Sequence, residues 1–101
     1  MTDRLDELGP AAFEPHRGTE FELELDDQPR AMLRLDEVTA YRQHPGTPRA
    51  EPFALVFSGS PPMLEQRTYR LGHPAFGGFD IFLVPIGLDA DGRVRYEAVF
   101  N

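Results

Sequence analysis

From Thr19 onward the chain reads with a period of two. Phe21, Leu23 and Leu25 alternate with Glu20, Glu22 and Glu24, which puts the apolar side chains on one face of an extended strand and the carboxylates on the other. A helix cannot use that pattern, because a 3.6-residue repeat would scatter the same side chains around its whole circumference. Asp-Asp-Gln-Pro at residues 26 to 29 reads as a turn, and Ala31, Leu33 and Leu35 resume the alternation with Arg34 and Asp36 facing outward. Val38 and Ala40 then fall on the opposite parity, which predicts a bulge or bend near Asp36 or Glu37.

The remaining segments extend the same logic. Phe53 to Ser58, FALVFS, is apolar on both faces and reads as a central strand or one covered on its outer side. Gly-Ser-Pro-Pro at 59 to 62 breaks it. Thr68 to Leu71 forms a short strand with Tyr69 and Leu71 on one side and Arg70 on the other, and the glycines around Ala75 and Phe76 make a compact corner. Phe79 to Ile86, a turn at Asp89 to Gly92, and Val94 to Phe100 form the clearest hairpin. Pro85 lacks an amide proton for a ladder bond, so its position is an edge, a bulge or a strand end. Arg42 to Pro52 holds three prolines and no apolar period, which predicts a surface loop. Before the strands, Pro10 at a first-turn position, Ala11 to Glu14 and the closing Gly18 predict a short helix that drops Leu8 and Phe13 onto one end of the sheet. Pro15 keeps that helix short. The expected fold is one mainly β domain over residues 1–101, with a helical cap over 1–18 and an antiparallel core over 19–101. About six strands without a crossover helix make a small barrel or a compact sandwich.

Charge and composition narrow the chemistry. The formal net charge is −7 and all ten bases are arginine, scattered among acids rather than gathered into a stripe, so the field repels phosphate backbones and no nucleic acid is expected. The chain has no cysteine, which removes disulfides, thiolate metal sites and cysteine nucleophiles together. The opening MTDRLDELGPAAF carries acids where a signal peptide needs a basic stretch and an apolar core, and no run reaches the length of a membrane helix; the expectation is a cytoplasmic protein with no membrane partner. His16, His44 and His73 stand at no paired ligand spacing and read as exposed or turn-packing rings, so no metal or cofactor is expected. Asp-Ala-Asp-Gly at 89 to 92 has its glycine too early for a calcium loop. Ser58 and Ser60 sit in no nucleophile elbow. Glu20, Glu22 and Glu24 read as a solvated face with Arg34 as a cross-strand partner. No catalytic residue emerges, and an enzyme is not expected.

Three stretches carry a family resemblance. FEPHRGTEFEL, TYRLGHPAFGGFDIFLVPIG and YEAVFN resemble the uncharacterised bacterial domain family DUF6916, from Leu5 to Asn101, with the loop Arg42 to Pro52 contributing nothing. The matching positions are Phe13, Gly18 and Phe21 at one end, and Tyr69, His73, Pro74, Phe82, Pro85, Gly87, Gly92, Tyr96, Glu97, Phe100 and Asn101 at the other. The resemblance implies no assigned activity; an association with phage-tail-collar-like proteins implies a structural or assembly component of a phage-tail-like particle. Outward apolar residues independently imply a protein partner or self-association. The candidate interaction or structural-motif residues are Phe53, Val56, Tyr69, His73, Phe82, Tyr96, Glu97, Phe100 and Asn101, with Glu97 and Asn101 expected to pin the chain end by hydrogen bonding. The alternative is a small-ligand barrel, which requires an enclosed cavity of roughly 300 Å³ or more.

Overall fold

The computed structural model describes residues 9–25, 31–41 and 52–100. The strands are β1 (Glu20–Leu23), β2 (Ala31–Ala40), β3 (Phe53–Gly59), β4 (Arg67–His73), β5 (Gly77–Leu88) and β6 (Val94–Phe100), and α1 (Pro10–Phe13) runs into a 3-10 turn (Glu14–His16). They close into an antiparallel barrel in the order β1-β2-β3-β6-β5-β4. Closure, rather than a two-sheet sandwich, comes from the short seam between β1 and β4, where Glu22 faces Gly72 and Leu23 faces Leu71. The turn expected at 26–29, the loop over 42–51, Leu8, His44 and Asn101 lie outside the described residues.

Alternation has the predicted consequence. Phe21, Leu23, Leu33, Leu35, Tyr69, Leu71, Val94 and Tyr96 all point into one apolar cluster, and Glu20, Glu22 and Glu24 stay exposed. The parity change in β2 is a bulge between Leu35 and Glu37. Asp36 is the extra residue, and after it Val38 pairs with Leu55 and packs on the core. A second bulge lies between Pro85 and Gly87 in β5, with Ile86 as its extra residue. Proline needs no partner there, and Gly87 takes a φ of +124° that a side chain would resist. Register sets Glu20 opposite Arg34 as expected, but the Arg34 guanidinium reaches along its own strand to Asp36 at 2.6 Å.

Gly59 ends β3 where the barrel wall has no room for a side chain. A Cβ there would stand 2.6 Å from Leu33 Cδ2 and 3.3 Å from the Met32 carbonyl oxygen, and Leu33 is held in the core. Gly59→Ala is expected to cost about 1–3 kcal/mol through overpacking. Chemical denaturation checks this against Gly72→Ala, where nothing lies within 4 Å of the added carbon; equal losses at both positions would refute the steric account.

Candidate protein-contact site

The barrel is plugged at both ends by its own chain. Partway along its length β5 changes neighbours, pairing with β4 from Gly77 to Leu83 and with β6 from Val84 to Leu88; at one end of the barrel the plug is α1. Phe13 of α1 serves this end, fully buried, with ring centroids 4.7 Å from Phe76, 5.9 Å from Phe53 and 6.4 Å from Phe100. Pro10 starts the helix where its missing amide costs nothing. Gly18, at φ +85°, turns the chain into β1 and donates its N–H to the Leu35 carbonyl at 2.7 Å.

At the other end two tyrosines hold the segment that links β3 to β4. The Tyr69 hydroxyl donates to the Glu65 carbonyl, and the Tyr96 hydroxyl accepts the Leu64 N–H at 2.9 Å. Leu64 thereby packs against the core. Burial raises the pKa of both phenols, with the Leu64 bond opposing the rise at Tyr96. Between the two plugs the interior is occupied by the side chains of the core cluster.

The outer wall divides into a polar and an apolar part. In the polar part Ser58 is fully buried. Arg93 folds over it, donating from Nε to Ser58 Oγ at 3.0 Å and from Nη2 to the Ser58 carbonyl at 2.8 Å. The bulge turns Asp36 toward the same hydroxyl. Burial alone would raise the Asp36 pKa, but hydrogen bonds from Arg34 and Ser58 and the charges of Arg34 and Arg93 outweigh it and hold the carboxyl below its ordinary value. Asp89 fixes the adjoining turn by accepting the Asp91 and Arg93 backbone N–H groups. Arg34, Asp36, Ser58, Asp89 and Arg93 are thus each engaged in at least one structural bond. Beside it Arg95 reaches across β3 to Glu37 at 2.6 Å. These side chains explain how β3 is buried along its whole length on the wall of a small barrel.

The apolar part lies on β5 and β6. Register sets Val56, Glu97 and Val84 in one row across three strands, and Ala54 beside Val99 in the next. Phe82 stands two residues from Val84 on the same face of β5. Phe82 on β5 and Val99 on the neighbouring strand β6 are 50% and 51% exposed, large apolar side chains left facing water. Ile86 and Leu88 continue the exposed apolar surface along β5.

The sequence candidates therefore separate. Phe53, Tyr69 and Tyr96 are core residues and Val56 is a buried wall residue, so none of them is presented to a partner. Their apolar character was legible, but which side chains would be roofed over was not. Phe100 is half-buried with its ring stacked on Phe53 at 4.5 Å. Phe82 is the one candidate with a large exposed apolar surface, and Glu97, opposite Val84 on the neighbouring strand, is partly exposed. His73 stands apart, at the aromatic end, its ring centroid 5.1 Å from that of His16. Among the described residues no group of three or more histidines, cysteines or acids could hold a metal ion. Val84, Val99 and Arg93 were missed as site residues, since only the register between distant strands gives them their places.

No described helix is long and apolar enough to cross a membrane. No curated protein and no solved structure gives a significant match to the chain. A family model does match, over residues 8–100, and its description is a domain of unknown function, DUF6916. With the match covering nearly the whole chain, to the last residue of β6, the chain belongs to the DUF6916 family.

Proposed function

We propose that this barrel acts through protein contacts made by the outer face of β5 and β6, as a non-enzymatic structural or assembly component of a phage-tail-like particle. The observation that supports the contact reading is that Phe82 on β5 and Val99 on the neighbouring strand β6 are each half-exposed, with Ile86 and Leu88 also exposed along β5. A scattered apolar side chain on a surface is ordinary, whereas several on one flank mark a surface that binds. Side chains fill the interior, which directs attention to the outside. The assembly context rests on the family resemblance.

The test is a Phe82→Glu, Val99→Glu double variant compared with the parent by size exclusion with light scattering, and by co-purification from the native host. The parent is expected to self-associate or retain a partner at micromolar concentration, and the variant to elute alone. Since both positions face water, thermal unfolding should change by no more than about 1 kcal/mol. A parent that stays monomeric and unaccompanied, or a variant that keeps its partner, would rule this reading out.

A further inference from the structure

We infer that His73 is a pH-sensitive latch that fastens the N-terminal helical segment over the aromatic end of the barrel and releases it on mild acidification. The inference begins at the seam. β1 and β4 pair at Glu22–Gly72 and Leu23–Leu71, and Glu24 N–H adds a bond to the Arg70 carbonyl at 3.0 Å on the side away from the helix, so toward the helical end the wall is joined through side chains. There His73 Nε2 lies 3.0 Å from Thr19 Oγ1, and Thr19 donates its own hydroxyl proton to the His16 carbonyl at 2.6 Å. The Thr19 oxygen is thereby the acceptor, and Nε2 carries the proton. The other ring nitrogen, Nδ1, accepts the Ala75 backbone N–H at 3.0 Å. This pattern assigns one neutral tautomer and leaves no free lone pair on the ring.

A second proton has only Nδ1 to occupy, and the Ala75 N–H already points there. Protonation therefore breaks that bond and places two donors face to face. It also leaves a cation in a poor setting. The ionisable groups on the packed elements are Glu14 and His16 on the 3-10 turn with Arg17 just after it, Glu20 and Glu22 on β1, Arg67, Tyr69 and Arg70 on β4, and Asp80 on β5, with Arg67 and Tyr69 toward the far end of β4 from His73. Glu14 and Arg17 pair with each other at 2.8 Å in solvent. Glu20 and Glu22 lie on the opposite face of β1 from Phe21, whose ring packs 4.3 Å from His73. Arg70 is paired with Asp80. Among these His16 turns its ring toward His73, and its coulombic effect disfavours rather than supports a charge on His73. The face of Phe21 offsets part of the cost.

Burial, and then the neighbouring His16, holds the His73 pKa below its ordinary value of 6.5. The unfolded or released chain then binds the proton more tightly than the latched form, so latch stability is full above about pH 6.5 and declines as the pH falls through the lower folded value. What lifts is the segment carrying Phe13 and His16, whose rings pack on Phe76. Its departure exposes an aromatic surface distinct from the β5–β6 face.

Amide hydrogen exchange, corrected for intrinsic rates, reads the release directly. Between about pH 7.5 and about pH 5 the Gly18 and Thr19 amides, bonded to Leu35 and His16, should lose protection several-fold while those of β3 keep theirs. Ring nitrogen shifts should report the Nε2-protonated tautomer at the upper pH and titration below 6.5. His73→Gln, which can still donate to Thr19 and accept from Ala75, should remove the pH dependence; His16→Gln should leave it. Unchanged protection, a His73 that titrates at or above 6.5, or a His73→Gln variant with the parental pH response would each overturn the latch. Should His73→Gln not fold, the ring titration and the amide data on the parent decide between these outcomes.

Discussion

Phe13→Ala is expected to remove about 3–5 kcal/mol of unfolding free energy, the range for truncating a large buried aromatic. Phe13 is fully buried and meets Phe53, Phe76 and Phe100 from a helix of only four residues. So short a helix has no stability of its own. Its conformation depends on the ring that anchors it, and the barrel end depends on the same ring to exclude water. With about 4–8 °C of Tm per kcal/mol in a domain of this size, the melting temperature should fall by well over 10 °C. Calorimetry or a denaturant titration measures the change. A loss below about 1 kcal/mol would mean that the end of the barrel closes without its cap.

The second large effect comes from placing one charge on either parity of β6. Phe100→Asp removes a ring stacked on Phe53 at an interplanar angle of 7° and sets a carboxylate against the core; the expected loss is about 3 kcal/mol or more. Val99→Asp, one residue earlier and 51% exposed, should cost no more than about 1 kcal/mol of strand propensity and packing. The contrast matters more than either value. Two adjacent substitutions of the same chemistry, measured by the same melt, differ only in the face they occupy. Equal effects would show that the inward face of β6 has been misidentified.

Much of the fold was legible because period two is a local property. Each strand of a half-buried sheet must alternate, so Phe21 to Leu25 and Val94 to Phe100 announced their inward faces without knowledge of their partners. The bulge at Asp36 was legible for the same reason, since a change of parity requires an extra residue. Pro85 likewise declared an interruption, realised as the second bulge. The candidate site was less legible. Phe53, Val56, Tyr69 and Tyr96 were as apolar as a contact surface requires, but Phe53, Tyr69 and Tyr96 turn into the core, and on the outer wall at β3, where Val56 lies, Arg93 and the Arg95–Glu37 pair reach across from 35 and 58 residues away. Phe82 and Val99 gave no sign that their strands are neighbours or that both stay exposed, because nothing in either strand encodes the register of the other.

By itself the sequence determined that there are about six strands, the inward faces of those that alternate, the short helix at Pro10 and the acidic, lysine-free composition, all of which follow from side-chain order along a chain segment. Only the tertiary structure decided that the sheet closes as a barrel, that β3 is covered, that Phe82 remains exposed and that His73 meets Thr19 across 54 residues of sequence. Closure and burial depend on which distant strand lies beside which, and that is set by the joint packing of all six against one core rather than by any local pattern.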